Sequence, residues 1–271
     1  MKRWKLYSIS LLALILCTPF SYIYLTQERE LFKPVPLSND HKFSFEFPYE
    51  EITLTPEEGV KLHALYTPAK NAKGVLVYYK GRGGNLEFPW GETTLDFTSR
   101  GYDVLMMDYR SSGKSRGKLS YEAILSDAEL IYSYAKERFG EERLAIYGSS
   151  LGTGIATYIA ARHNPQMLLL ESPYYSLLDS ACNTKEWIPP ALVKVILKYP
   201  FPTNHWIQSV RCPVHIFHGV EDEVIAYDSS LRLLDLVKGR LETSLTTIEG
   251  YAHRHIYLSD EYKNHLTEVL K

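Results

Sequence analysis

The sequence predicts an α/β fold: a mostly parallel sheet of about eight strands with helices on both faces. Three observations point to it. Short apolar runs recur along the chain: GVLVYYKG (74–81), DVLMMDYR (103–110), LAIYG (144–148), MLLLES (167–172), PVHIFHG (213–219) and SLTTIEG (244–250). Runs of this length and richness in Val, Ile and Leu suit strands buried on both faces. Segments with helical spacing lie between them, and strand–helix alternation implies right-handed crossovers into a parallel sheet. Finally, the chain beyond its first thirty residues has the length of one large domain, with 45% hydrophobic residues to fill a core.

The first segment is of a different kind. Leu6 to Leu25 is twenty residues without a charge, preceded by Lys2, Arg3 and Lys5. Twenty helical residues span about 30 Å, the hydrocarbon thickness of a bilayer. The excess of positive charge before the span keeps the amino terminus cytoplasmic. Residues 1–29 are therefore expected to be a cytoplasmic stub and an uncleaved single-pass anchor, with residues 30–271 on the extracytoplasmic side. A cleaved signal is disfavoured because no A-x-A pattern follows the apolar run, and a lipoprotein signal at Cys17 because Leu16 precedes it. Pro19 kinks such a span without forbidding it.

Past the anchor, the neighbourhood of EEITL and the run VKLHALYTPA (60–69) are expected to form an antiparallel opening pair around a turn at Glu57–Gly59. SYEAILSDAELIYSYAKERFG (120–140) has a Ser cap, apolar residues at 3–4 spacing and a terminal Gly, the signature of a helix. Further helices are expected after Leu151, Ala226 and Ile256. Between Glu171 and Arg211 the alternation breaks, and an insertion of about 173–210 forms a short cap after the sixth strand. Its Tyr174, Tyr175, Trp187 and Phe201 either line an acyl pocket or make up the cap's own small core. It has one amphipathic piece, Ala191–Tyr199, and PPALVKVILKYPF (189–201) is a candidate to lie against lipid.

Chemistry concentrates at the carboxyl ends of the strands, where open sheets of this type carry their sites. Gly148-Ser149-Ser150-Leu151-Gly152 is a G-x-S-x-G turn between a strand and a helix. A turn this sharp strains its central residue, and only small residues at the flanks let the two backbones close, which accounts for Gly148 and Gly152. Ser150 is that central residue; Gly154 is expected to let the helix pack on a neighbouring strand. A Walker loop is excluded because no Lys-Ser or Lys-Thr follows the glycines. A nucleophilic serine needs a base and an orienting acid. The loop after PVHIFHG offers Asp222, flanked by Glu221 and Glu223, and the turn after the last strand offers His253, with His255 two residues on. His253 lies nearer the strand end. His215 and His218 read as buried, hydrogen-bonded histidines, and His163 as a helix-end cap.

With LFKP, YYKGRGGN, DYRSSGKSRGK, GSSLG, ESPYYS, HGVEDEVI and GYAH in that order, the chain resembles the α/β-hydrolase superfamily. More narrowly, it is similar to the membrane-anchored serine hydrolases related to lipases, acyl-protein thioesterases and serine aminopeptidases. The resemblance covers about residues 30–271 and implies the order Ser150, Asp222, His253 for a catalytic triad. It also implies an oxyanion hole made by the backbone N–H groups of Arg82 and Leu151. One departure stands out: the family usually has His-Gly-Asn after the third strand, and this chain has Lys80-Gly81-Arg82. Two cations beside an acyl site favour an anionic substrate or leaving group, unless both point to solvent.

The expected activity is hydrolysis of an ester, thioester or amide, on a small-molecule or lipid-like acyl substrate or an acylated protein or peptide. No metal or organic cofactor is needed. An aminopeptidase would need an acidic group near the cap to hold a free amine, for which Glu171, Asp179 and Glu186 are candidates. A non-catalytic binding or scaffolding role on the same fold is the alternative from another class. The formal net charge of −2 gives no electrostatic basis for nucleic-acid binding. Cys17, Cys182 and Cys212 have no metal-ligand spacing. They read as free thiols, with a Cys182–Cys212 bridge open in an oxidising compartment.

Overall fold

The computed structural model describes residues 18–56, 60–184 and 187–271. Eight strands form one sheet: β1 (Glu50–Leu54), β2 (Leu62–Thr67), β3 (Gly74–Tyr79), β4 (Tyr102–Met107), β5 (Leu144–Ser149), β6 (Leu168–Glu171), β7 (Val214–Gly219) and β8 (Thr243–Ile248). Their spatial order is β1-β2-β4-β3-β5-β6-β7-β8. The opening pair is antiparallel, as is β2 on β4, and every later pairing is parallel. This is the α/β-hydrolase fold, and the eight runs of the sequence supply its strands.

Sequence alternation within the strands fills two cores. Val75, Val77 and Tyr79 face one layer, and Leu76 and Tyr78 the other. The first layer is covered by α2 (Tyr121–Phe139), α3 (Gly152–Ala160) and α7 (Asp228–Val237). The second is covered by α1 (Thr94–Thr98) and α8 (Asp260–Val269). Helix α2 starts where the sequence places it: the Ser120 hydroxyl accepts from Ala123 N–H, and Gly140 ends the helix at φ +85°. A buried Arg110–Asp127 pair, with hydrogen bonds of 2.7 Å from Nε and Nη2, ties the turn after β4 to this helix.

The strand order decides where a site can form. From β3 the chain turns through α1 to β4 on one side, while from β5 it leaves through α3 to β6 on the other. Adjacent parallel strands whose connections diverge leave a crevice at their carboxyl ends. Here Lys80-Gly81-Arg82 and Ser150 border it.

The cap contains α4 (Leu177–Thr184), α5 (Pro190–Ile196) and α6 (Thr203–Trp206). Its helical piece is shorter than the expected Ala191–Tyr199, because Leu197 is extended and Pro200 follows. The two alternatives for its aromatics resolve in favour of packing. Tyr174 and Phe201 are fully buried in the core that the cap shares with the first layer of the sheet rather than in a small core of its own, Tyr175 lies under the Arg232 guanidinium at 3.6 Å, and Trp187 is exposed. Residues 18–32 form a continuous helix that ends against this cap, with the Phe32 ring edge-on to Tyr109 and Tyr199. The apolar stretch from Leu6 to Cys17 lies outside the described residues, as do Glu57–Gly59. No described helix is long and apolar enough to cross a membrane. Cys182 and Cys212 are free thiols rather than a bridge, and burial pushes the Cys212 thiol up to about 12.

Candidate active site

The turn between β5 and α3 has the geometry its glycines predict. Ser150 adopts φ +49°, a left-handed conformation costly for any side chain. Gly148 and Gly152 permit it by close approach: a Cβ on Gly152 would sit 1.9 Å from the Tyr79 carbonyl oxygen, and one on Gly148 2.7 Å from Ala156 Cβ. Gly154 differs from the sequence expectation. A Cβ there would meet the Tyr174 hydroxyl at 2.0 Å, so it makes room for the cap and not for a strand.

Three chain segments converge on this turn. Ser150 Oγ lies 2.9 Å from His253 Nε2, and His253 Nδ1 lies 2.7 Å from Asp222 Oδ2. Partners fix the tautomer: Nδ1–H donates to the carboxylate, which leaves Nε2 free to accept from the serine hydroxyl. Glu221 and Glu223, the flanking acids, are exposed, as is His255, whose ring bonds only Tyr257 among the described residues.

Asp222 is the most heavily tied group of the site. One oxygen accepts the N–H groups of Val224 and Ile225 at 2.8 Å each. The other receives His253 and, at 3.1 Å, His218 Nε2. His218 Nε2 also faces the Ile225 carbonyl at 3.0 Å, so it carries the proton, and Nδ1 accepts from the Ser230 hydroxyl at 2.6 Å. Burial alone would push the Asp222 carboxyl up, but these donors more than offset it and hold the group well below the usual carboxylate range. Sequence reading identified His218 as buried and hydrogen-bonded without naming its partner. Its spacing of four residues from Asp222 was the available signal.

The loop after β3 separates the two cations of the family departure. Arg82 is exposed at the crevice, while Lys80 is fully buried, its ammonium 3.6 Å from Asp108 Oδ1 and 4.8 Å from the centre of the Tyr109 ring. The expectation that both meet substrate, or both solvent, is therefore corrected: Lys80 turns inward to Asp108 and Tyr109 just past the end of β4, and only Arg82 turns outward. Burial pushes the Asp108 carboxyl up to about 6 against the pull of Lys80, and pushes the Lys80 ammonium down against the pull of Asp108. The other Asp108 oxygen accepts Leu86 N–H at 3.1 Å, so the pair also braces the loop.

The N–H groups of Arg82 and Leu151 donate to no other described group. Each has a neighbouring carbonyl held by a phenol: Tyr109 Oη donates to Lys80 O at 2.6 Å, and Tyr174 Oη to Leu151 O at 3.2 Å. Neither tyrosine was singled out for this from the sequence, since both act across the fold. Of the acidic candidates for holding an amine, Asp179 is paired with Arg232 at 3.1 Å, and Glu186 lies outside the described residues. Glu171 accepts from Tyr147 Oη at 2.6 Å, and burial pushes its carboxyl up against the hydrogen bond from Tyr147 and the charge of His253. Among the described residues no cluster of His, Cys, Asp and Glu has the form of a metal site.

A strained serine at a strand–helix turn, a histidine on its hydroxyl and a buried carboxylate behind that histidine, on this fold, define a serine hydrolase of the α/β-hydrolase superfamily. The chain belongs to the family described as serine aminopeptidase, S33, whose model matches residues 70–208. It is similar to the lysophosphatidylserine lipase ABHD12 of Danio rerio, 27% identical over 266 residues that cover 80% of this chain and 68% of that protein. The Gallus gallus lipase of the same name is 28% identical over 271 residues, with the same coverage. The chain thus spans about two thirds of the length of these relatives. Among solved structures, the Pyrococcus furiosus esterase Pf2001 matches with a TM-score of 0.70 at 18% identity, over 88% of this chain and 95% of that one. Est1E of Butyrivibrio proteoclasticus with ferulic acid bound matches at 0.64 and 22%, over 81% and 96%. At these identities the two structures speak for the fold.

Proposed function

We propose that this chain is a membrane-tethered lipase-type hydrolase that cleaves the acyl ester of an anionic, lipid-like substrate through Ser150, His253 and Asp222. The observation that carries the reading is the continuous relay of 2.9 Å and 2.7 Å contacts ending on a serine held at φ +49°. His253 Nε2 takes the Ser150 proton as Oγ attacks the carbonyl carbon. The Arg82 and Leu151 N–H groups receive the oxyanion, and Asp222 stabilises the imidazolium. His253 returns the proton to the leaving oxygen, then activates water to release the acid.

Two observations support the substrate class. The curated relatives are named for lysophosphatidylserine, an anionic single-chain lipid. Arg82 supplies an exposed cation at the crevice, suited to a phosphate-bearing headgroup. The uncharged Leu6–Leu25 segment supports the tether, with residues 1–29 as stub and anchor, residues 30–271 as the extracytoplasmic domain, and about 173–210 as its cap. An aminopeptidase reading is less favoured, because Asp179 and Glu171 are engaged elsewhere.

The test is labelling of the full chain in mild detergent by a fluorophosphonate, followed by hydrolysis of lysophospholipids of differing headgroup. Labelling is expected in wild type and in Ser149→Ala, and is expected to vanish in Ser150→Ala. Equal labelling of the two alanine variants would refute the assignment.

A further inference from the structure

The helix over 18–32 turns one side to the cap and leaves the other bare. On the cap side, Phe20 stacks on Trp187 with ring centroids 6.3 Å apart, and the Lys198 ammonium lies 4.3 Å from the centre of the Tyr24 ring. Gln27 donates to the Ile196 carbonyl and accepts from Lys198 N–H, at 2.7 and 2.9 Å, and Glu28 pairs with Lys198 at 3.0 Å. These positions recur at helical spacing, so the docking is a face and not a single touch. On the bare side Tyr22 and Leu25 are 66% and 71% exposed. On the cap, Trp187 and Val195 are 63% and 77% exposed, with Lys194 exposed between them. Exposed apolar groups gathered in this way mark a contact surface.

The sequence identifies the occupant. Phe20 belongs to the uncharged Leu6–Leu25 segment, five residues inside its carboxyl end. At 1.5 Å per residue, Phe20 lies about 7 Å below the level at which that segment meets water. Trp187 is in ring contact with Phe20 and must lie at a comparable depth, which is the zone tryptophan favours. Lys194, exposed, then stands at headgroup level with its charge free to meet anionic lipid, while the charge of Lys198 is held by Glu28 at 3.0 Å.

We infer that the cap, from Trp187 through α5, is seated in the interfacial layer of the bilayer that holds the anchor. The inference rests on the tether of the proposed function and adds to it a fixed orientation. The domain does not hang from a flexible stalk; its cap is pressed into the lipid that carries the substrate. The same insertion reaches the reaction centre at its other end, where Tyr174 bonds Leu151 O beside the nucleophile.

The experiment uses the full chain reconstituted in vesicles of phosphatidylcholine and phosphatidylglycerol, with lipids brominated at shallow or deep acyl positions as fluorescence quenchers. Trp187 is isolated as the difference between wild type and Trp187→Phe. Quenching of at least half of that component by shallow bromines is expected. Val195→Asp is expected to lower the rate on vesicle-borne lysophospholipid several-fold while leaving a soluble short-chain ester unaffected. Retention after alkaline carbonate wash reports the tether independently. A chain that washes off overturns the tether and this inference together. A retained chain whose Trp187 component is quenched only by aqueous iodide overturns the seating alone, as does a Val195→Asp variant that is unimpaired on vesicles. A chain that instead pairs through this patch, seen as a cross-linked dimer lost in Val195→Asp, also overturns it.

Discussion

Asp222→Asn isolates what the buried carboxylate does, because it preserves size and half of the hydrogen bonds. The amide oxygen can still accept Val224 and Ile225 N–H, both 2.8 Å from the native oxygen. The amide NH2 then occupies the position of Oδ2, 2.7 Å from His253 Nδ1, and faces it as a donor. His253 must switch tautomer, presenting N–H from Nε2 to Ser150 Oγ across 2.9 Å, so the base becomes a donor to the group it should deprotonate. Turnover is expected to fall by about 10⁴-fold, as a wrong-tautomer imidazole implies, with the fluorophosphonate reaction slowed in parallel.

Stability should fall too. His218 Nε2 now meets an NH2 at 3.1 Å, and turning its own tautomer to suit would forfeit the 3.0 Å bond to Ile225 O. Leaving one buried polar group unsatisfied costs about 1–3 kcal/mol, readable by urea unfolding. The pH dependence has a defined sign. The native carboxyl is held below its unfolded value, so its contribution is complete above about pH 4 and is lost as pH falls through and below that point, a slope the Asn variant lacks. An Asp222→Asn enzyme retaining a tenth or more of wild-type turnover would refute the relay, and would direct attention to Glu171 as orienting acid.

Other outcomes follow from the packing around the crevice. Lys80→Met leaves Asp108 buried without its cation and should cost about 3–5 kcal/mol, while Lys80→Met/Asp108→Asn should recover more than half; equal losses in single and double variants would count against the pair. Since the Asp108 carboxyl is raised from 3.8 to about 6, the folded state takes up its proton first, and this group's contribution to stability falls as pH rises from about 4 to 6. Two units correspond to about 3 kcal/mol, and the slope should be absent in Asp108→Asn. Gly152→Ala forces a Cβ to 1.9 Å from Tyr79 O and should lower the melting temperature by several degrees, with labelling of Ser150 lost in whatever folds. Tyr109→Phe frees the Lys80 carbonyl, and should lower kcat about tenfold with KM unchanged if the loop's rigidity serves the oxyanion.

The strands were legible because burial on both faces writes itself as unbroken apolar runs, and the crevice because the two runs that border it, GVLVYYKG and LAIYG, end in glycine. The grouping of Ser150, Asp222 and His253 could be read for the same reason: each sits just past a strand end. Lys80 could not. Its fate depends on Asp108 and Tyr109 at the end of the adjacent β4, and nothing local in YYKG distinguishes an inward lysine from an outward one. The cap aromatics were equally opaque, since Tyr174 is buried by an approach to Gly154 that only the folded chain brings about.

The bond from the Tyr174 hydroxyl to Leu151 O has a consequence for how such an enzyme can change. It divides the insertion into two parts under different constraints. The stretch leaving β6, through Ser172 and Tyr174, shares atoms with the elbow and cannot be redrawn without disturbing the turn that strains Ser150. The stretch beyond it, from α4 to α6, meets the helix that follows the elbow through Thr203, beside Gly154, and through Trp206, whose ring packs edge-on to Tyr158, and its part ahead of these two anchors can be lengthened, recharged or replaced. New substrate ranges would therefore arise by grafting downstream of a fixed splice point at Tyr174, and a chimera joined there should keep its chemistry while taking the preferences of the donor cap.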